Sequence, residues 1–189
     1  GFSDVQPGMV AGAAYKAIYW AVDNGIAKGY SGGTFGPEDV CTREQFSIML
    51  WRFAGEPASD TGTVNRFADV GSFSNNTSKK AVAWAVEQGI VAGFSDGSFK
   101  PGDKITRAQV AVMLWRFAGK PGSSSSSSRF SDISAYSSNV QNSIIWAENA
   151  GIAAGYSDGT FKPDGGCQRQ HMAIFLNRFN SKVRSYKPE

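Results

Sequence analysis

Histidine and cysteine are the scarcest reactive residues of this chain, with one of the first, His171, and two of the second, Cys41 and Cys167. A structural zinc site takes four nitrogen or sulfur ligands, and a thiol nucleophile needs a partner base, so neither a metal centre nor a Cys/His catalytic pair is expected. No cofactor is expected either. Long apolar runs are also missing. No stretch approaches the roughly 18 to 20 apolar residues that span a bilayer. The opening Gly1-Phe2-Ser3-Asp4 lacks signal-peptide character, so an export signal is expected to have been removed or to lie outside this sequence. Charge of one sign is nowhere concentrated: 19 basic residues against 16 acidic ones leave a net charge of +3, which argues against nucleic acid as the main partner.

What the chain has is repetition. The stretch Gly93-Phe-Ser-Asp-Gly-Ser-Phe-Lys-Pro-Gly-Asp-Lys-Ile-Thr-Arg-Ala-Gln109 has near-copies at Gly29 to Gln45 and Gly155 to His171. Phe35, Phe99 and Phe161 are 64 and 62 residues apart, and Pro37/Pro101/Pro163 and Arg43/Arg107/Arg169 keep that register. A fixed period over whole units marks a repeat architecture. The units are read as 1–60, 61–122 and 123–189. Units of roughly 60 residues are marginal alone, and a hydrophobic content of 41% suffices for a shared core. Three independently folding beads remain the alternative.

Each unit opens with Phe2-Ser3-Asp4-Val5, Phe67-Ala68-Asp69-Val70 or Phe130-Ser131-Asp132-Ile133. The aspartate reads as a structural turn residue binding backbone N–H groups ahead of the first helix. First helices follow around 13–24, 78–88 and 140–150, each stopped by Gly-Ile at 25–26, 89–90 and 151–152, where glycine supplies the left-handed cap and isoleucine folds back on the last turn. Trp20, Trp84 and Trp146 recur on these helices, as core anchors or as sugar-stacking platforms. Asp96-Gly97 and Asp158-Gly159 form turns in the following loops. Unit one has Gly32-Gly33 and Gly36 there, so it lacks the carboxylate and the lysine. These loops do not offer the ligand series of a calcium-binding EF-hand.

Second helices begin at the capping boxes Thr42-Arg43-Glu44-Gln45 and Thr106-Arg107-Ala108-Gln109. Unit three has Gln168 and His171 at the corresponding positions, and His171 is read as local. Phe46, Met49, Leu50 and Phe53 form an apolar stripe at helical spacing, repeated in the other units. Association of the three stripes is the expected shared core. Gly55 to Asn65, and Gly119 to Gly122 followed by Ser123 to Ser128, read as flexible tethers. The expected fold is all-α: three tandem helix-loop-helix repeats.

From the opening Phe-x-Asp-Val to Ile105-Thr106-Arg107-Ala108-Gln109, practically the whole chain resembles the S-layer homology domains, which occur as three tandem copies on bacterial cell-surface proteins. The resemblance implies a pseudo-threefold helical bundle with prong-like loops, monomeric, in the cell wall or S-layer. Its grooves between units would bind secondary cell-wall polysaccharide without a covalent link, commonly through a pyruvate ketal on an N-acetylated amino sugar. Arg107, Arg43 and Arg169 match the signature arginine and would hold the ketal carboxylate. Residue chemistry agrees, because a guanidinium fork at the start of a helix sits beside free N–H groups and the positive end of the dipole.

The candidate ligand-binding set is Arg43, Arg107, Arg169, Gln45, Gln109, Asp96, Asp158, Trp20, Trp84, Trp146, Gly29, Gly93 and Gly155. Unit two is the complete match, so Arg107 is expected to matter more than Arg43. The rival reading is a protein–protein assembly or adhesion module. The chain is not read as an enzyme: glycoside hydrolysis needs two positioned carboxylates, and the loop of unit one has none at the Asp96 position. Cys41 and Cys167 occupy equivalent sites, filled by Ile105 in unit two, and are read as two free, buried thiols rather than a bridge, on the view that they lie away from the pseudo-threefold axis.

Overall fold

The structure, a computed structural model, describes residues 1–122 and 127–183. Among these the chain forms α1 (Gly12–Asp23), α2 (Arg43–Phe53), α3 (Asn76–Glu87), α4 (Arg107–Phe117), α5 (Ser138–Asn149) and α6 (Arg169–Lys182), with short 3-10 turns at Thr61–Arg66 and Val70–Ser72. The remaining regular pairings among the described residues are isolated β-bridges. The fold is all-α and threefold, as the repeat implied.

Local chemistry sets the helix ends. Thr42 and Thr106 accept from the N–H groups of Gln45 and Gln109 at 3.3 and 3.2 Å, and both glutamine side chains accept in return from the threonine N–H groups. At the other ends Gly25, Gly89 and Gly151 take φ of 70, 66 and 66°. The N–H of Ile26 then donates to the Ala21 carbonyl at 2.8 Å, a bond repeated at Ile90 and Ile152, which satisfies a helix-end carbonyl.

The helices do not pair within their own units. Instead α2 packs on α3, α4 on α5, and α6 returns to α1. Each unit lends its second helix to the next and the ring closes between the last and the first, so the bead alternative fails. The expected meeting of the three second helices is confined to the axis. There Phe53, Phe117 and Phe179 stand with ring centroids 5.5 to 6.1 Å apart, good aromatic contact distances. At the other end of these helices, just before they start, a cyclic set of backbone bonds joins the units: Cys41 N–H donates to Cys167 O, Cys167 N–H to Ile105 O, and Ile105 N–H to Cys41 O, at 3.0, 3.0 and 2.9 Å. The cysteines therefore do lie at the axis, contrary to the sequence-based view. Both are free and buried, and burial pushes each thiol up to about 12.

Two further expectations change. The opening aspartates tie down the loop of their own unit rather than the first helix. Asp4 accepts from the N–H groups of Phe35 and Gly36, Asp69 from Phe99 and Lys100, and Asp132 from Phe161 and Lys162, all at 2.7 to 2.9 Å. Lys100 and Lys162 are held at φ of 58 and 55°, a left-handed conformation that costs a side-chain-bearing residue energy. Gly36 takes the same conformation at 67° without that cost. The first linker is not a loose tether either, because Thr61–Arg66 packs on α3, Val64 is fully buried, and the Trp51 indole N–H donates to Pro57 O at 2.8 Å. Ser123 to Ser126 lie outside the described residues, while Ser128 Oγ accepts from Phe130 N–H at 2.9 Å.

Candidate functional site

Each signature arginine opens a second helix and reaches into the loop of the next unit. Arg43 Nε donates to Phe99 O at 2.9 Å, Arg107 Nε to Phe161 O at 2.8 Å, and Arg169 Nε to Phe35 O at 2.8 Å. The guanidinium carbons lie 4.5 to 4.6 Å from the rings of Phe99, Phe161 and Phe35, and 4.7 to 5.1 Å from those of Phe94, Tyr156 and Tyr30, within cation–π range. All three are buried. Burial pulls the Arg43 pKa below its ordinary value.

The helix starts around them are already occupied. Arg43 and Glu44 N–H groups donate to Asp103 and Pro101 carbonyls, Arg107 and Ala108 to Gly165 and Pro163, and Arg169 and Gln170 to Asp39 and Pro37, at 2.9 to 3.1 Å. The free N–H groups that made these helix starts attractive to an anion are therefore spent on the neighbouring unit. Arg107 and Arg169 spend more, since their Nη2 atoms donate to Ala154 O and Lys28 O at 2.9 and 2.7 Å. Arg43 keeps its terminal nitrogens.

Arg43 also lines a groove of about 400 Å³. Its lining includes the segment Ile90 to Gly93, Val112 and Met113 of α4, and Tyr136, Val140 and Asp164 of unit three. Tyr136 donates to Asp164 Oδ2 at 2.6 Å, and the carboxylate raises the phenol pKa. Gln109 borders the same space with its carboxamide oxygen committed to the cap, which leaves its Nε2 as the available donor. A smaller groove of about 190 Å³ brings together Arg169, Gln45, Arg52 and Asn75. The unit-two loop thus works with Arg43, not Arg107. Sequence alone could not show that the arginine crosses to the next unit.

The other candidates divide. Gly93 borders the large groove, and a Cβ there would stand 2.6 Å from the Phe67 ring and 2.8 Å from Ser98 O, so the opening phenylalanine requires the glycine. Gly29 and Gly155 are pressed in the same way by Phe2 and Phe130. Asp96 and Asp158 are locked in exposed turns, accepting from Ser98 and Thr160 and pairing with Lys100 and Lys162 at 3.2 and 3.5 Å. The Ser98 bonds hold the Asp96 carboxyl down at about 2, and the Thr160 bonds lower that of Asp158. Neither lines a groove described above. Trp84 and Trp146 are 3% and 5% exposed and pack edge-on against Phe117 and Phe179, and Trp20 is half-buried against Phe53. Trp84 and Trp146 are core anchors, and Trp20 packs on the core while partly exposed.

His171, on the third interface, lies beside Phe175 with its Nδ1 buried and without a hydrogen-bond partner. Burial, then the Arg107 charge, lowers its pKa. Among the described residues no cluster of three potential His, Cys, Asp or Glu metal ligands occurs.

The sequence reading missed a second recurrent arginine. Arg52, Arg116 and Arg178 each follow the signature arginine by nine residues, and that spacing was available to find them. Arg52 and Arg116 border the smaller and the larger groove respectively.

A closed ring of three interlocked helical repeats, carrying grooves between units, defines a tandem-repeat surface module rather than a single-site domain. The S-layer homology domain model matches residues 1–47, 66–111 and 129–173, and the chain belongs to that family. It is 30% identical over 98% of its length to an endoglucanase of Bacillus sp. strain KSM-635, covering 19% of that protein. It is 26% identical over 80% of its length to a cellulosome-anchoring protein of Acetivibrio thermocellus, covering 34%, and 27% identical over its full length to an S-layer protein of Bacillus licheniformis, covering 20%. The chain spans about a third or less of each of these relatives. The family and its relatives place it at the cell wall or cell surface. No helix among the described residues is long and apolar enough to cross a membrane.

Proposed function

We propose that the chain is a non-enzymatic anchor that binds secondary cell-wall polysaccharide in the groove between α4 and α5. The observation that carries this reading is the open groove of about 400 Å³, in which an apolar lining meets Arg43, Gln109 and backbone at Gly93. Saccharide sites combine apolar surface with a few placed polar groups, and a pyruvylated amino sugar would offer both a carboxylate for Arg43 and methyl groups for Val112 and Met113. The smaller groove is a second candidate of lower capacity. The ring closes within one chain, so a monomer suffices.

Binding to sacculi before and after hydrofluoric acid treatment tests the reading. Loss of binding after stripping, together with retention of pyruvylated over non-pyruvylated saccharides on a glycan array, is the expected result. Undiminished binding to stripped walls would favour a protein partner instead.

A further inference from the structure

Resting on the polysaccharide reading, we propose that Arg116 is a second anion contact of the large groove, so that this groove selects a saccharide segment bearing an acidic group at the C-terminal end of α4. Four observations converge on this residue. It borders the groove in the last turn of α4, whereas Arg43 lies near the first, its N–H donating to Asp103 O. Its side chain is partly exposed, while that of Arg43 is buried between two rings.

Its fixed commitment is also small. Arg116 Nη1 donates to Ile90 O at 3.2 Å, which orients the guanidinium on the groove wall and leaves four of five N–H donors. Arg178 makes the equivalent bond to Ile152 O at 3.3 Å, so the repeat builds this orientation at least twice.

Finally, the charge around Arg116 is uncompensated. Arg52, its counterpart on the smaller groove, has Glu56 3.9 Å away. Unit two has Lys120 in place of that glutamate, and no carboxylate lies within ion-pair distance of Arg116 among the described residues. An oriented guanidinium with no protein counter-ion, on the wall of an open groove, is a carboxylate receptor. The large groove thus carries two guanidinium groups, near opposite ends of α4, against the one carboxylate of Asp164, which keeps it cationic.

The test uses the full chain and wall polysaccharide from the producing bacterium, native or with its carboxyl groups reduced by carbodiimide and borohydride. Val112→Trp, which fills the groove, reports on the polysaccharide reading itself. Arg116→Gln reports on this inference, and Lys16→Gln, which removes an exposed cation that borders neither groove, serves as its control. Expected are loss of binding for Val112→Trp, a weakening of about tenfold or more for Arg116→Gln on native polymer, and no difference between Arg116→Gln and wild type on reduced polymer. A role of Arg116 in holding Ile90 alone would weaken both polymers equally and would overturn the inference. So would unchanged binding of Arg116→Gln to native polymer while Val112→Trp binds nothing. Unchanged binding of a folded Val112→Trp would instead overturn the reading beneath it.

Discussion

At the scale of single residues the signature arginines separate into roles that their identical sequence context conceals. Arg107 acts as a staple, with Nε and Nη2 on two carbonyls of unit three. Arg107→Ala should therefore lower stability by about 2 to 3 kcal/mol, because one buried and one partly buried acceptor lose a charged donor, and should leave groove affinity nearly unchanged. Arg43→Ala should weaken polysaccharide binding more than Arg107→Ala does, the reverse of the order expected from motif completeness. Calorimetry on both variants, with thermal melts to separate folding from binding, decides it; stronger weakening by Arg107→Ala would remove Arg43 from the site. His171 was legible only as a departure from the cap. Its folded pKa lies below the unfolded value, so as pH falls through the unfolded value, near 6.5, the unfolded chain takes up the proton first and stability declines. The decline levels off below the folded pKa. His171→Gln should flatten this part of the stability profile, as measured by denaturant melts across pH 5 to 8, a range about the unperturbed histidine value.

At the scale of elements, α6 is the second helix without a cap. Gln168 makes no capping bond to the backbone, whereas Thr42 and Thr106 do. The pair Gln168→Thr with His171→Gln recreates the sequence of the other two boxes and should raise stability by about 1 kcal/mol, seen as a higher denaturant midpoint at pH 7. No gain would mean that the Gln168 environment differs in more than the side chain. Capping boxes and glycine stops were readable because they are local: the atoms that satisfy each other lie within a few residues. The function of the opening aspartates was not readable, because Asp69 meets the N–H groups of Phe99 and Lys100 some 30 residues away.

At the scale of the molecule, the decisive feature is that helices pair across units and not within them. A fragment spanning 61–122 holds α3 and α4, which do not pack on each other, and lacks α2 and α5, on which α3 and α4 respectively pack. It should be largely unfolded by circular dichroism, with no cooperative melt, since its apolar faces find no partner. A cooperative transition in the fragment would show that a unit is self-sufficient. Phe117→Ala removes one member of the axial triad and the edge partner of Trp84. A cost of about 3 to 5 kcal/mol is expected from the lost burial and the cavity, and denaturant melts measure it.

The repeat, the helices, their caps and the all-α class were legible in the amino-acid sequence, because period, hydrophobic spacing and turn chemistry act over short distances, and the family was legible through the resemblance of its motifs to known S-layer homology domains. Tertiary structure decided which unit each arginine serves, that the helix starts are filled by neighbouring carbonyls, that Trp84 and Trp146 are core, and that Cys41 and Cys167 meet the axis. Three copies of one motif leave every pairing between copies equivalent on paper. The choice among pairings rests on how the ring closes, with α6 against α1, and that is a property of the packed chain and of no single unit.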